Sequence, residues 1–148
     1  MDKIAKDFKD HGVVFYMLYT REPHAGQKMD DFDFSKKKET KTAKERVDYA
    51  LEMLKEYTQT RPVLIDTFGE KCLQNTLGGG MPNSLIVVDK EGKIAMWQAW
   101  SDPVALWKKL GEMTGHKPPL SPELIKMQKE RERERDEERE EAPAKEGE

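Results

Sequence analysis

The chain has 148 residues, with 26 Lys and Arg against 29 Asp and Glu, 37% charged side chains, 36% hydrophobic ones and a single Cys. That length fits one domain, and one Cys excludes an internal disulfide, a Cys-x-x-Cys redox pair and a cysteine-based zinc site. No run approaches the roughly 18 apolar residues of a membrane span, the charged stretch from Met1 to Asp7 has no signal-peptide core, and a net charge of −3 lacks the basic face expected of a general nucleic-acid binder.

The charge is unevenly placed. Residues 129–148 hold 6 basic and 10 acidic side chains, a net −4, so the first 128 sit near +1 and carry nearly all the Val, Ile, Leu, Trp and Tyr. The unusual composition therefore belongs to a tail on an ordinary folded core. Lys36-Lys37-Lys38 is the main basic cluster and reads as part of a solvated loop. With Met1 as the true start, the expected location is cytoplasmic, with no membrane partner for this segment and no nucleic-acid partner.

Taken in order, Ile4, Ala5 and Phe8 sit at helical spacing, so residues 1–11 read as the last turns of a helix. Val13 to Tyr19 is a continuous apolar and aromatic run after Gly12, without alternation, as in a strand buried on both faces. Residues 23–40 are polar and broken and read as a loop carrying His24. Ala43, Val47, Ala50, Leu51 and Leu54 form one apolar stripe, predicting a helix over 42–57 that covers the sheet. Val63-Leu64-Ile65 is a short strand ending at Asp66, residues 71–76 allow one or two helical turns, and Gly78-Gly79-Gly80 is a flexible stretch. Leu85 to Asp89 is a second strong strand, Lys90-Glu91-Gly92 a turn, and Lys93 to Trp100 its hairpin partner. Asp102 followed by Pro103 starts a helix whose Val104, Trp107 and Leu110 or Gly111 face the sheet, closed by Gly115 and Pro118-Pro119. Helix–strand alternation followed by a hairpin and a covering helix predicts an α/β sandwich around one mixed sheet over residues 1–117.

Residues 118–148 read as a charged helical or disordered tail. Ser121-Pro122 is another helix start, and Leu124, Ile125 and Met127 are placed to pack locally. Beyond them Glu and Arg alternate, with opposite charges at i,i+3 and like charges at i,i+4. These terms are each about 0.2–0.5 kcal/mol and nearly cancel, so a fraying helix or a disordered segment is expected.

Three places carry candidate chemistry. Glu22 and His24 lie just past the end of the first strong strand, where ligands of α/β sheets bind, and an imidazole there can move a proton near neutral pH. Met81-Pro82 precedes the second strong strand, either as a rigid turn or, with a cis X-Pro bond, as a backbone edge for substrate. Cys72 is the lone thiol beside Lys71; it is read as a small buried hydrophobe, with a one-cysteine redox centre as the rival. His11 and His116 fall at helix ends and form no metal-ligand cluster.

The stretch Tyr16-Met17-Leu18-Tyr19-Thr20-Arg21-Glu22-Pro23-His24 resembles the strand-plus-loop Val-Tyr-Ile-x-Glu-Ala-His of the iodothyronine deiodinase family and its bacterial redoxin relatives. Arg46 with Ala50, the run from Pro62 to Asp66, Met81-Pro82-Asn83 and the hairpin from Val87 to Ile94 follow that family's order, so the resemblance spans residues 4–113. Pro23 stands where the family usually has Ala, and Gly26-Gln27 replaces a common Ser-Asp-Gly-Trp stretch.

The resemblance implies a thioredoxin-like, three-layer sandwich and thiol- or selenol-based oxidoreduction of a small-molecule or thiol substrate, with an external thiol reductant and no bound cofactor. It implies that Pro82, with Met81 before it, is the substrate-side cis-Pro, and that Glu22 and His24 belong to the catalytic loop. It further implies that the first strand and its Cys or selenocysteine nucleophile precede Met1. A UGA codon read as stop, with a restart at the next Met, would give such a start. On this reading the chain alone is inactive, and its exposed strand edges favour self-association. The rival reading is a non-catalytic thioredoxin-like binding module.

Overall fold

In the computed structural model, residues 1–22, 24–29, 33–77 and 81–141 are described. Pro23 and the Gly78–Gly80 stretch therefore lie outside the described residues, as do 142–148 of the tail.

Helix α1 (Asp2–Phe8) buries Ile4, Ala5 and Phe8 on one side and passes through a 3-10 turn, Lys9–His11. Gly12 then takes φ 77, a left-handed conformation that suits glycine and redirects the chain. Of the apolar run 13–19, only Met17–Tyr19 form strand β1. The reason is its partner: β2 (Val63–Ile65) is three residues long and pairs in parallel, Met17 with Val63 through Tyr19 with Ile65. Pro62 accepts from Met17 N (2.9 Å) but has no N–H with which to extend the ladder.

Between these strands runs α2 (Ala43–Glu56). Thr42 Oγ1 accepts from Glu45 N (3.2 Å) and Glu45 Oε2 accepts from Thr42 N (2.9 Å), a reciprocal cap. Its expected apolar stripe is not covered: Ala50 is buried, but Val47, Leu51 and Leu54 are exposed. The helix packs on the three-residue β2, which is too short to cover four turns.

A short helix, α3 (Leu73–Thr76), precedes the antiparallel hairpin β3 (Leu85–Val88) and β4 (Ile94–Gln98). Asp89 Oδ1 holds the turn by accepting from Glu91 N (3.0 Å) and Lys93 N (2.8 Å). Helix α4 (Pro103–Thr114) starts as expected, with Asp102 Oδ1 accepting from Val104 N (2.9 Å) and Ala105 N (3.0 Å). It buries Val104, Leu106, Leu110 and Gly111, while Trp107 is partly buried.

The fold is α/β, but the expected single mixed sheet is replaced by two two-stranded sheets: parallel β1–β2 and antiparallel β3–β4. The hairpin rests on a helical floor through Leu85 and Val87, and the segment leading into β1 does so through Val13 and Phe15, all packed against the cluster of Ile4, Phe8, Val104, Leu106, Leu110 and Leu124. Leu124 belongs to α5 (Pro122–Glu141), so packing continues past residue 117 and the charged tail begins as a docked helix. Leu120 and Met127 pack on the same cluster, and Arg131 pairs with the Asp102 carboxylate. No helix among the described residues is long and apolar enough to cross a membrane.

Candidate functional site

The separation of the two sheets leaves a cleft of ≈ 770 Å³. One wall is residues 13–18 and the other is residues 84–88, with Thr20, Arg61, Met81, Pro82, Asp89 and Lys90 among the remaining lining. Val14 is 71% exposed, Tyr16 56% and Val88 53%. Such a run of open apolar side chains is costly in water and marks a surface meant to be covered.

Met81 and Pro82 thus stand at the cleft, but the cis bond expected for Pro82 is absent: no peptide bond among the described residues is cis. The turn is followed at once by pairing to the β4 side, Asn83 O accepting from Ser101 N (2.8 Å).

Glu22 and His24 do not line this cleft. Glu22 is half-buried toward the 36–38 loop and α2, and its Oε1 has no hydrogen-bond partner among the described residues. Burial raises its carboxyl above the ordinary value; the Lys37 ammonium opposes this and the Glu52 carboxylate adds to it. Lys37 itself is not simply solvated. It pairs with Glu52, and its ammonium lies 4.3 Å from the centre of the Tyr49 ring. Tyr49 Oη accepts from Lys38 N (3.1 Å), so the basic cluster is a strap from the loop to α2.

His24 occupies a different small structure. Gly26 N donates to Phe34 O (3.0 Å) and Phe34 N to Gln27 O (2.8 Å), closing the loop on itself. His24 Nδ1 stands 3.2 Å from Gln27 Oε1. The ring lies parallel to Phe34 at 6.4 Å between centroids. Glu22 makes no hydrogen bond to His24, so Gln27, not Glu22, orients the imidazole.

Asp66 and Arg46 form the most connected polar cluster. The buried Asp66 carboxylate accepts from Thr67 N (2.8 Å), Leu73 N (2.8 Å) and Gln74 N (2.9 Å), capping α3 at the end of β2. Arg46, buried on α2, donates from Nη1 to Asp66 O (2.9 Å) and Thr67 O (2.7 Å), and from Nε to Thr40 Oγ1 (3.3 Å). Its guanidinium sits 3.8 Å over the Phe68 ring. This clamp is architectural: the Asp66 carboxylate and Arg46 Nη1 both fix the β2–α3 turn. A sequence signal for it is a charged residue among the apolar positions of a helix stripe.

Cys72 is 8% exposed and precedes the first residue of α3. His11 and His116 stack at 3.5 Å with Phe8 edge-on to His116 (5.6 Å), joining the end of α1 to the end of α4. Among the described residues no group of three His, Cys, Asp or Glu is placed to hold a metal ion. No family model matches the sequence, and neither a curated protein nor a solved structure does.

Proposed function

We propose that this chain is a thioredoxin-like, deiodinase-related thiol or selenol oxidoreductase whose nucleophile is supplied from outside residues 1–148. The observation that carries the reading is the cleft beside β1, with the Met81-Pro82 turn at its rim, where a nucleophile-bearing segment has room to lie. The order of helices and strands supports it, as does Cys72, whose burial at the start of α3 leaves it poorly placed to meet a substrate. In the proposed reaction a thiolate or selenolate attacks an oxidised small-molecule substrate such as a hydroperoxide, breaking its O–O bond, releasing the alcohol once protonated and leaving a sulfenic or selenenic acid. An external dithiol then reduces that acid to the thiol or selenol, giving two electrons, releasing water and leaving as a disulfide. Glu22, with its raised proton affinity, and His24 are the proposed proton carriers.

The separation of Glu22 and His24 from the Pro82 cleft favours the second reading, a thioredoxin-like binding module without catalysis. The nucleotide sequence upstream of the Met1 codon discriminates. An in-frame Cys or UGA codon, together with dithiothreitol-dependent turnover of a hydroperoxide by the extended chain and none by 1–148, is expected. An upstream frame with neither codon, or an extended and cooperatively folded chain without turnover, removes the enzymatic reading.

A further inference from the structure

We propose that the cleft between the two sheets is an acceptor for one uncharged, extended peptide strand, which pairs with both β1 and β3 and joins them into a single sheet. This stands on the backbone geometry of the two walls and does not depend on the redox reading.

The unpaired groups on each wall follow from the ladders. Met17 N donates to Pro62 O and Asp66 N to Tyr19 O, each at 2.9 Å, so Met17 and Tyr19 direct their backbone groups toward β2. Backbone direction alternates along a strand, and Leu18 therefore points its N–H and C=O the other way. In the hairpin, Asp89 N donates to Lys93 O (2.9 Å) and Asn83 O accepts from Ser101 N (2.8 Å). The odd-numbered residues thus face β4, and Ile86 and Val88 face away from it. Both free edges border the same cavity. A strand edge left unpaired is a template for another strand.

The occupant's chemistry follows from the lining. Residues 12–18 and 81–88, the two walls along which the strand would lie, include no charged side chain, whereas Arg61, Asp89 and Lys90 complete the lining; charge in the middle of the strand would lose hydration without compensation, so its central residues are uncharged. A small apolar ligand would fill volume but leave the amides and carbonyls of both walls unpaired. A second copy is disfavoured because the β1 edge it would use is already walled in by the molecule's own β3. The four residues of β3 and the seven of the 13–19 run suit a partner of about five residues, an ordinary strand length.

The test uses the whole 148-residue chain and a synthetic peptide with a central Val-Ile-Val-Ile-Val run between lysine pairs, at ten times its Kd. Amide exchange at Leu18, Ile86 and Val88 is expected to slow about tenfold. The same peptide N-methylated at every amide of the Val-Ile run keeps its side chains but loses its donors on both edges, and should give no protection. Val88→Lys, at an exposed position outside the helical floor, should weaken binding without lowering the melting temperature. Unchanged exchange overturns the proposal, as does equal protection by the N-methylated peptide, which would mean apolar adhesion only. Protection that rises with protein concentration in the absence of peptide would make the occupant a second copy and likewise overturn it.

Discussion

The docked start of α5 makes the first prediction quantitative. Leu124 is 7% exposed and belongs to the same cluster as Phe8 and Leu110, whereas among the described side chains of α5 the further anchors are Met127 and the Arg131–Asp102 pair. Replacing a buried Leu by Ala costs about 2–5 kcal/mol through lost transfer energy and the cavity left behind. Leu124 sits in the first turn of a helix with few other anchors, so partial resettling is easy and the lower part of that range, about 2–3 kcal/mol, applies. For a chain near 150 residues each kcal/mol moves the melting temperature by about 2–4 °C, giving a fall of about 4–12 °C for Leu124→Ala. Arg131→Ala removes only a partly exposed ion pair, about 0.2–1 kcal/mol, and should lower it by no more than about 4 °C. Thermal unfolding followed by circular dichroism at neutral pH reads both. If Leu124→Ala melts within about 2 °C of the parent, or if Arg131→Ala is the more damaging, α5 is not held by its first two turns and the docking argument fails.

Glu22→Gln should become progressively more stable than the parent as pH rises from 4 to 7. The raised carboxyl favours the folded state below its unfolded pKa and forfeits that advantage as pH climbs through the folded one; a constant difference across the range would refute the assignment. Asp102 behaves oppositely. Burial pushes its carboxyl up, but the Ala105 and Val104 amides and the Arg131 guanidinium outweigh it and hold it below the ordinary range. Its contribution, about 1 kcal/mol as a helix cap, is therefore present above the unfolded pKa and lost as pH falls through the lower folded value. The melting difference between parent and Asp102→Ala should shrink toward zero in acid, and a difference that grows there would count against it. Cys72, buried before α3, should react with iodoacetamide far more slowly in the native protein than in urea; equal rates would reopen its role as a redox centre.

The elements written in short-range chemistry were legible from the sequence. Asp102 before Pro103 and the Lys90–Gly92 turn each use residues within a few positions of one another, and the structure places both as expected. What the sequence did not disclose depends on distant partners. The run 13–19 is seven residues of strand-forming sequence, yet its paired length is decided by β2, more than forty residues later, and by the proline that precedes it. The α2 stripe has helical spacing, but whether Val47, Leu51 and Leu54 are covered is set by how much sheet lies beneath them. Arg46 is buried because two backbone carbonyls at 66 and 67 and a hydroxyl at Thr40 receive it, and carbonyls leave no mark in a sequence. The surroundings of Glu22 come from Lys37 and Glu52, fifteen and thirty positions away.

The same distinction bears on the candidate site. Reading Glu22, His24 and Pro82 as one constellation assumes a sheet continuous enough to bring the loop after β1 beside the turn before β3. In the structure those two ends belong to different sheets, with the cleft between them. The local restraints act against their meeting by side-chain motion alone: His24 is held by Gln27, and Glu22 faces Lys37 and Glu52. What is free to change is the spacing of the sheets, because the hairpin and the segment leading into β1 rest on the helical floor through side chains such as Val87 and Phe15, and the two sheets share no backbone ladder. A strand bonded to Leu18 on one side and to Ile86 and Val88 on the other would fix β1 and β3 at about 4.8 Å from itself on either side. It would also bring its own side chains alongside Thr20 and Pro82. Assembly of any chemistry at this end of the fold is therefore coupled to filling the cleft, and occupancy of the cleft is the first quantity to measure.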